Sequence, residues 1–534
     1  MGCGDGPLSM PWLVRSAWIV PATALMLFLA LPVAWVLGQV PVALTASGDG
    51  LPALAVPSAL AVLPLALLQA ALSTVLAVLV GLPICAVVSR YSFRGRSLVE
   101  ALVTVPFVLP TVVIALAIRT LLGADAPLGL GMVILAHAYV NLAVIVRLVG
   151  ASWLQVDPAM AQAARTLGAS AWSAFRTVTL PALRGAIATS AAVVFAFSFT
   201  SLGIALLLGG GQVRTLEMLV LRQSSVLLDF PGAALSAVVQ LLVVTTVIVL
   251  GTRAARRTRT HVHRRLPMPR QRTARVAILA VAVSTCAIVL APLLALLWAS
   301  VHVGSEFTTS WWTGLGSIDA GTTRIGAPID ALRTSLLFAL ATAVIAGAIG
   351  CAAALGALAG RVGRTVAVIA LAPLGVSAAT LGLGLLLAFG RPPVDLRAIG
   401  ILVPMAHALI AVPLVVAVAL PALRSIDDRR RGVAATLGAR PLRAFGTTYG
   451  SALRVVVIAS AGLAAAVSLG EFGAASFLAR SGSPTTSMVI VRLLSRPGEA
   501  ATGTAAAMSV LLVIATVLLV LGVDRAGRRM VSSP

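Results

Sequence analysis

Residues 162–181 read QAARTLGASAWSAFRTVTLP, and residues 432–451 read GVAATLGARPLRAFGTTYGS. Within them the hexapeptide ARTLGA (164–169) and its counterpart AATLGA (434–439) stand 270 residues apart. The same interval carries Ala136-His137-Ala138 onto Ala406-His407-Ala408 and Ala182-Leu183-Arg184 onto Ala452-Leu453-Arg454. It also pairs Ser198, Gly203, Met218 and Arg222 with Ser468, Gly473, Met488 and Arg492. A constant offset over such a span, with no net insertion, is the mark of an internal duplication.

The 534 residues are 59% hydrophobic and 10% charged, with a mean hydropathy of +1.05. A soluble core of this size needs a charged shell that the chain cannot supply. Apolar stretches of about 20 residues recur along its length, as membrane-spanning helices require. The fold class expected is all-α, a polytopic membrane protein with about 12 transmembrane helices. The spans fall roughly at 16–38, 60–89, 99–122, 129–148, 185–208 and 233–252, then at 276–301, 331–359, 365–389, 398–423, 455–478 and 501–522. Six spans per half give both halves the same orientation, so the two six-helix repeats are parallel, about an axis along the membrane normal. The halves are residues 1–252 and 276–534. The linker between them, 253–275, holds nine arginines, two histidines and no acid. Such a run reads as a solvated tether that can also touch anionic lipid headgroups.

The net charge of +23 is topological. With the N-terminus inside, 28 arginines fall in cytoplasmic segments, 8 in external ones and 3 in or beside spans. That asymmetry is the positive-inside rule, and it places both termini in the cytoplasm. A nucleic-acid partner is not expected. The chain has no lysine at all. It can therefore form neither a phosphate-binding P-loop nor a lysine Schiff base. Cys3, Cys85, Cys286 and Cys351 lie far apart and read as structural thiols. No nucleophile, base or metal set clusters, so no enzyme activity, bound cofactor or metal is expected. The first span is too long for a signal-peptide core and reads as an uncleaved helix. External loops of about 30 residues at most leave no room for a fused binding domain.

The most specific chemistry lies in two loops, 151–184 and 424–454. In the first, Asp157-Pro158 is a helix start, a capping side chain followed by proline at the first helical position. A short helix to about Leu167, a turn at Gly168 and a second helix to about Thr179, before Leu180-Pro181, complete it. In the second, Ser425-Ile426-Asp427-Asp428 can cap the equivalent helix, with the turn at Gly438. Small residues (Ala163, Ala164, Ala169, Ala434, Ala435, Ala439) leave a surface shallow enough to dock in a groove on another protein.

Residues 162–181 resemble the EAA loop of bacterial ATP-binding-cassette importer permeases, roughly E-A-A-x-x-x-G, then phenylalanine, then L-P. Gln162 stands for the glutamate, and Gly168, Phe175, Leu180 and Pro181 match. The second copy keeps Gly438 and Phe445 but has Gly432 for the acid and Gly450-Ser451 for L-P. The resemblance implies that Gln162, Ala163, Ala164, Gly168, Ala169, Phe175, Ala434, Gly438, Ala439 and Phe445 couple the chain to nucleotide-binding subunits. It implies two such ATPase subunits, which bind ATP and magnesium on separate chains, and an extracytoplasmic substrate-binding protein. Fused two-half permeases resemble the thiamine and ferric-iron importers. PFVLPTVV (106–113) and SLGEFGA (468–474) look like both; GGGQVRTLE (209–217) and LAHAYVNLAVIVRL (135–148) look more like the thiamine group.

Six residues are candidates for the substrate path. Pro106 and Pro110 interrupt span three and either face a cavity or kink a packed helix. His137 and His407, paired by the repeat, contact either substrate or a neighbouring helix. Asn141 lies one turn from His137 on the same face. Glu471, near the outer end of span eleven, either meets a cationic substrate or has a structural partner. The expected mechanism is alternating access, the two halves rocking as the loops move. The rival reading, an ion-coupled secondary transporter, calls for acidic or histidine relays near the midplane, whereas most acids here sit in loops.

Overall fold

In a bilayer every backbone N–H and C=O must find a partner within the protein, which leaves long helices as the solution for so apolar a chain. The structure, a computed structural model, describes residues 10–45, 55–123, 125–253, 265–304, 306–316, 327–390, 395–427, 429–480 and 482–532. Cys3, residues 254–264 of the basic linker and Asp428 lie outside them. Among the described residues ten helices are long and apolar enough to cross a membrane, and up to twelve spans result if two bent pairs are each counted as one. The chain is an all-α polytopic membrane protein. Strand pairing among the described residues is confined to two short ladders. Tyr91–Ser92 runs parallel to Leu266–Pro267, and His302–Val303 antiparallel to Glu306–Phe307.

The third span, where Pro106 and Pro110 announce an interruption, and the ninth, expected to be continuous, are both broken. Arg96–Val108 and Thr111–Leu122 meet at 108°, and Arg361–Gly375 and Ala378–Phe389 at 105°. Pro110 takes the N-cap position of the second limb in the first case. In the other, Ser377 caps it by accepting from the Thr380 N–H at 3.0 Å. The fifth and eleventh spans also end early. Ala171–Phe199 and Pro441–Gly470 stop, and short helices Gly203–Leu208 and Gly473–Leu478 follow. Each short helix lies against the second limb of the broken span in its own part of the chain. A methyl group on Gly203 would lie 2.7 Å from Thr111 Oγ1, and one on Gly473 would lie 3.1 Å from Ala378 Cβ.

The contacts group the chain as Ala46–Thr309 and as Met1–Thr45 with Ser310–Pro534, rather than as the sequence halves. Each half's first span packs with helices of the other. Phe28 meets Phe389 with ring centroids 5.4 Å apart, Pro32 lies on Gly384, and Trp18 on Gly356. In the other unit Tyr139 donates to the Val289 carbonyl at 2.7 Å, and Ala282 joins a core with Ile84, Val99 and Leu142. A span that is apolar all round does not declare its partner, so periodicity alone could not reveal this exchange.

Two π-helical turns each stand just before a Leu-Pro pair. Met26–Ala30 precedes Leu31-Pro32 and Phe175–Thr179 precedes Leu180-Pro181. Proline lacks an N–H and its ring crowds the carbonyl one turn back; a widened turn relieves both. The helix consequently does not stop at Leu180-Pro181 but continues to Phe199. At the repeat-equivalent position Gly450-Ser451 supplies no proline, and Pro441–Gly470 is an α-helix throughout.

The double variant Gly356→Val, Gly384→Val is expected to lower the melting temperature in detergent by several degrees, through about 1–3 kcal/mol of overpacking against Trp18 and Pro32. Gly347→Ala, where an added Cβ meets nothing within 4 Å, serves as the neutral control. Equal melting of double variant and control would show that the N-terminal helix does not pack there.

Candidate coupling loops and the buried polar clusters

The first loop is built from its ends inward. Asp157 accepts from the Ala159 N–H at 2.8 Å and opens the helix Pro158–Thr166 with proline at the first position. The helix closes in a Schellman motif. Gly168, at φ +92°, donates to Arg165 O, and Ala169 donates to Ala164 O at 3.0 Å. Ser170 then caps the next helix by accepting from the Ser173 N–H at 3.1 Å.

The second loop repeats this design. Asp427 accepts from the Arg429 N–H at 3.0 Å, and the helix runs Arg429–Thr436. Gly438, at φ +82°, donates to Ala435 O, and Ala439 to Ala434 O at 3.0 Å. Of the capping residues considered, Asp427 does the work, while the Ser425 hydroxyl turns back to Ala422 O. The repeated hexapeptide is therefore the six-residue span of a helix stop: its first residue accepts the longest bond, its last donates it, and its glycine takes the left-handed turn. Thr166 and Thr436 tighten it by donating to Ala163 O and Val433 O.

Phe175 and Phe445 face inward. Phe175 stacks on Trp153 and Trp172, at centroid distances of 6.1 and 5.5 Å, and packs on a core that includes Val149 and Leu183. Phe445 is buried and stacks on Tyr449 at 4.8 Å. Gln162, Ala163, Gly168 and Gly438 are exposed, and Ala164, Ala169, Ala434 and Ala439 are partly so. Sequence reading missed the most exposed apolar side chains, Leu167 at 88% and Leu437 at 83%, each at the C-cap just before the glycine. Their signal was present in the hexapeptide itself. Two leucines in repeat register, left in water by their own fold, call for a cover from outside.

The path candidates fall into separate clusters. The Gln69 Nε2 donates to Ser198 O at 2.9 Å, so its oxygen faces His137, and the His137 Nδ1–H donates to it at 3.1 Å. The Asn141 Nδ2 donates to His137 O at 2.9 Å and Ser198 Oγ at 3.3 Å. His137 Nε2 and Asn141 Oδ1 are left as buried acceptors with no protein partner. His407 in the other unit bonds Ser468 Oγ through Nδ1 at 2.8 Å, and Thr342 donates to the same oxygen at 3.2 Å. Both rings are buried and tied to neighbouring helices in their own unit. Pro106 and Pro110 are buried at the broken third span. Glu471 has a structural partner, accepting from the Ala474 N–H at 3.2 Å at the start of Gly473–Leu478.

One buried cluster had no forewarning beyond the quoted segment 209–217. Glu217, 1% exposed, accepts from the Gln240 Nε2 at 3.0 Å, beside a Ser236 to Gln223 bond of 2.8 Å. Among the described residues no group of three or more His, Cys, Asp or Glu side chains is placed to hold a metal ion.

Residues 73–260, which contain the first loop, match the family described as binding-protein-dependent transport system inner membrane component. Over that stretch the chain is similar to inner-membrane components of binding-protein-dependent transport systems. It is similar to the sulfate transport system permease protein CysT of Escherichia coli, 28% identical over 208 residues, which are 36% of this chain and 75% of that protein. It is also similar to the thiamine transport system permease protein ThiP of Salmonella typhimurium, 30% identical over 205 residues, 35% of this chain and 38% of the relative. With the molybdate/tungstate transport system permease protein WtpB of Thermococcus kodakarensis it shares 31% identity over 155 residues, 29% of this chain and 62% of the relative.

His137→Ala is expected to strand the Gln69 carbonyl oxygen and cost about 1–3 kcal/mol, read as a lower melting temperature with KM for substrate unchanged. A raised KM at unchanged melting would instead make His137 a substrate contact.

Proposed function

We propose that this permease carries a small solute inward by alternating access, driven by two separate ATPase subunits and supplied by an extracytoplasmic binding protein. The observation that carries the reading is the pair of loops, alike in aspartate cap and glycine turn, whose helices expose Leu167 and Leu437. A backbone fixed by an aspartate cap, a Schellman turn and an inward phenylalanine offers a rigid, preorganised docking surface. Burial of each leucine in a partner's groove contributes about 1.5–3 kcal/mol. Gln162, Ala163 and Ala164, with Ala434, form the flanking surface, and Gly168 and Gly438 set its shape. Both termini and both loops lie in the cytoplasm on this reading, supported by the arginine distribution. The chain itself then binds no nucleotide, and ATP and magnesium belong to the partner subunits.

Leu167→Asp and Leu437→Asp are each expected to weaken association with the co-purifying ATPase on the order of tenfold or more, measured by titration of the purified subunits, with membrane insertion intact. Unchanged affinity in both variants would remove the loops from the coupling interface.

For the substrate, thiamine remains the favoured cargo on the residues of 135–148 and 209–217. The buried Glu217 in the latter segment suits a cationic ligand nearby. A second reading, a small oxyanion, is favoured by the names of the sulfate and molybdate relatives; ferric iron is the third. Uptake of labelled thiamine, sulfate, molybdate and ferric iron, each at limiting concentration with and without the gene, separates them. Loss of thiamine uptake alone is expected; loss of sulfate or molybdate uptake alone would transfer the chain to the oxyanion permeases, and loss of iron uptake alone to the iron group.

A further inference from the structure

The linker is anchored at its far end. Leu266–Pro267 pairs in parallel with Tyr91–Ser92, which holds Arg265 beside Arg90, the last residue of the helix Ala55–Arg90. The Arg265 Nη2 stands 3.6 Å from Glu100 Oε1, and the same oxygen is bonded to Arg96. One carboxylate thus serves two guanidinium groups. The Arg265 Nε is buried and has no hydrogen-bond partner. The side chain as a whole is 31% exposed, and native proteins supply buried donors such as this Nε–H with an acceptor.

A half-open depression is lined by Ser89, Arg90, Trp153, Asp157, Thr179 and Arg265. Two cations face one acid there, and the Asp157 Oδ1 is already committed to the Ala159 N–H. We propose that this depression binds a phosphate oxyanion between Arg265 and Arg90, and that its source is the headgroup of an anionic phospholipid. A guanidinium fork matches phosphate oxygens in pairs, which favours this class of ligand over a carboxylate-poor water cluster. The rim favours lipid over a free anion: it is formed by the ends of the membrane helices Ala55–Arg90 and Leu130–Trp153.

Occupancy has a consequence for the first loop alone. Asp157, Pro158 and Ala161 form the opposite wall, so a bound headgroup joins the linker's end to the base of the first coupling helix. The repeat places Gly360 and Leu423 where Arg90 and Trp153 stand, so the second loop has no equivalent site.

The test is native mass spectrometry of the purified full-length chain, titrated with phosphatidylglycerol, phosphatidylcholine or inorganic phosphate. Wild type is expected to retain one phosphatidylglycerol about tenfold more tightly than Arg265→Gln or Arg90→Gln, with Arg361→Gln like wild type. Melting temperatures identify any variant that fails to fold, and Arg90→Gln carries the test if Arg265→Gln does so. Equal retention of phosphatidylglycerol and phosphatidylcholine, or retention unaffected by either substitution, would overturn the site. Arginine-dependent binding of inorganic phosphate without phosphatidylglycerol would overturn the lipid as its source.

Discussion

Each unit depends on one close helix crossing. The side chain of Ile145 fills a notch at Gly81, where a methyl group would lie 2.7 Å from Ile145 Cγ2. Val415, its repeat equivalent, fills a similar notch at Gly350, one residue out of register with Gly81. Inside a bilayer there is no hydrophobic force to press helices together, so association rests on packing at close range and on interhelical hydrogen bonds. A β-branched side chain set against a bare glycine supplies the first. Two turns away on the same helices, His137 and His407 supply the second. The helix Leu130–Trp153 then carries that rigidity outward to Trp153, on which Phe175 of the first loop stacks.

Where the helices break, they break in matched places, and side chains receive some of the freed backbone groups. The ends of the fifth and eleventh spans yield two short helices that rest on the bent third and ninth spans, at Gly203 and Gly473. Glu471 receives the Ala474 N–H, and Ser377 the Thr380 N–H. Such irregular backbone at membrane depth is tolerated only where protein or a water-lined cavity surrounds it. The breaks are therefore the part of each unit best able to change shape at modest cost, since their hydrogen bonds belong to side chains rather than to an uninterrupted ladder.

The duplication, the class and the loops were legible because each leaves a local mark: a fixed interval, an apolar run, an aspartate before a helix and a glycine after it. What stayed hidden was tertiary. Span three announced its break through Pro106 and Pro110, but the ninth bends at Val376-Ser377, where no proline stands at the joint. The exchange of first spans was invisible because Trp12–Thr45 and Arg272–Ala299 are apolar on every side. The Glu217–Gln240 bond spans 23 residues, and the Arg265 anchor joins residues more than 160 positions apart in sequence. The two histidines read more readily as helix contacts than as substrate contacts, and the partners they bond, Gln69 and Ser468, lie far off in sequence.

Comparing the loops with each other separates shape from surface. The duplication keeps Asp157 and Asp427, the A-x-T-L-G-A stop, and Phe175 and Phe445, all of which set backbone or anchor, together with the exposed leucine that neither task requires. It does not keep the residues around that leucine: Ala159, Met160 and Gln162 become Arg429, Arg430 and Gly432. A leucine retained without a structural duty, within a neighbourhood free to change charge, is the pattern of a contact whose centre is apolar and whose rim is adjustable. The two loops thus present one geometry with two different electrostatic borders. The first adds a brace from the linker that the second lacks, so the coupling it transmits need not equal its partner's even where the docked subunits are the same.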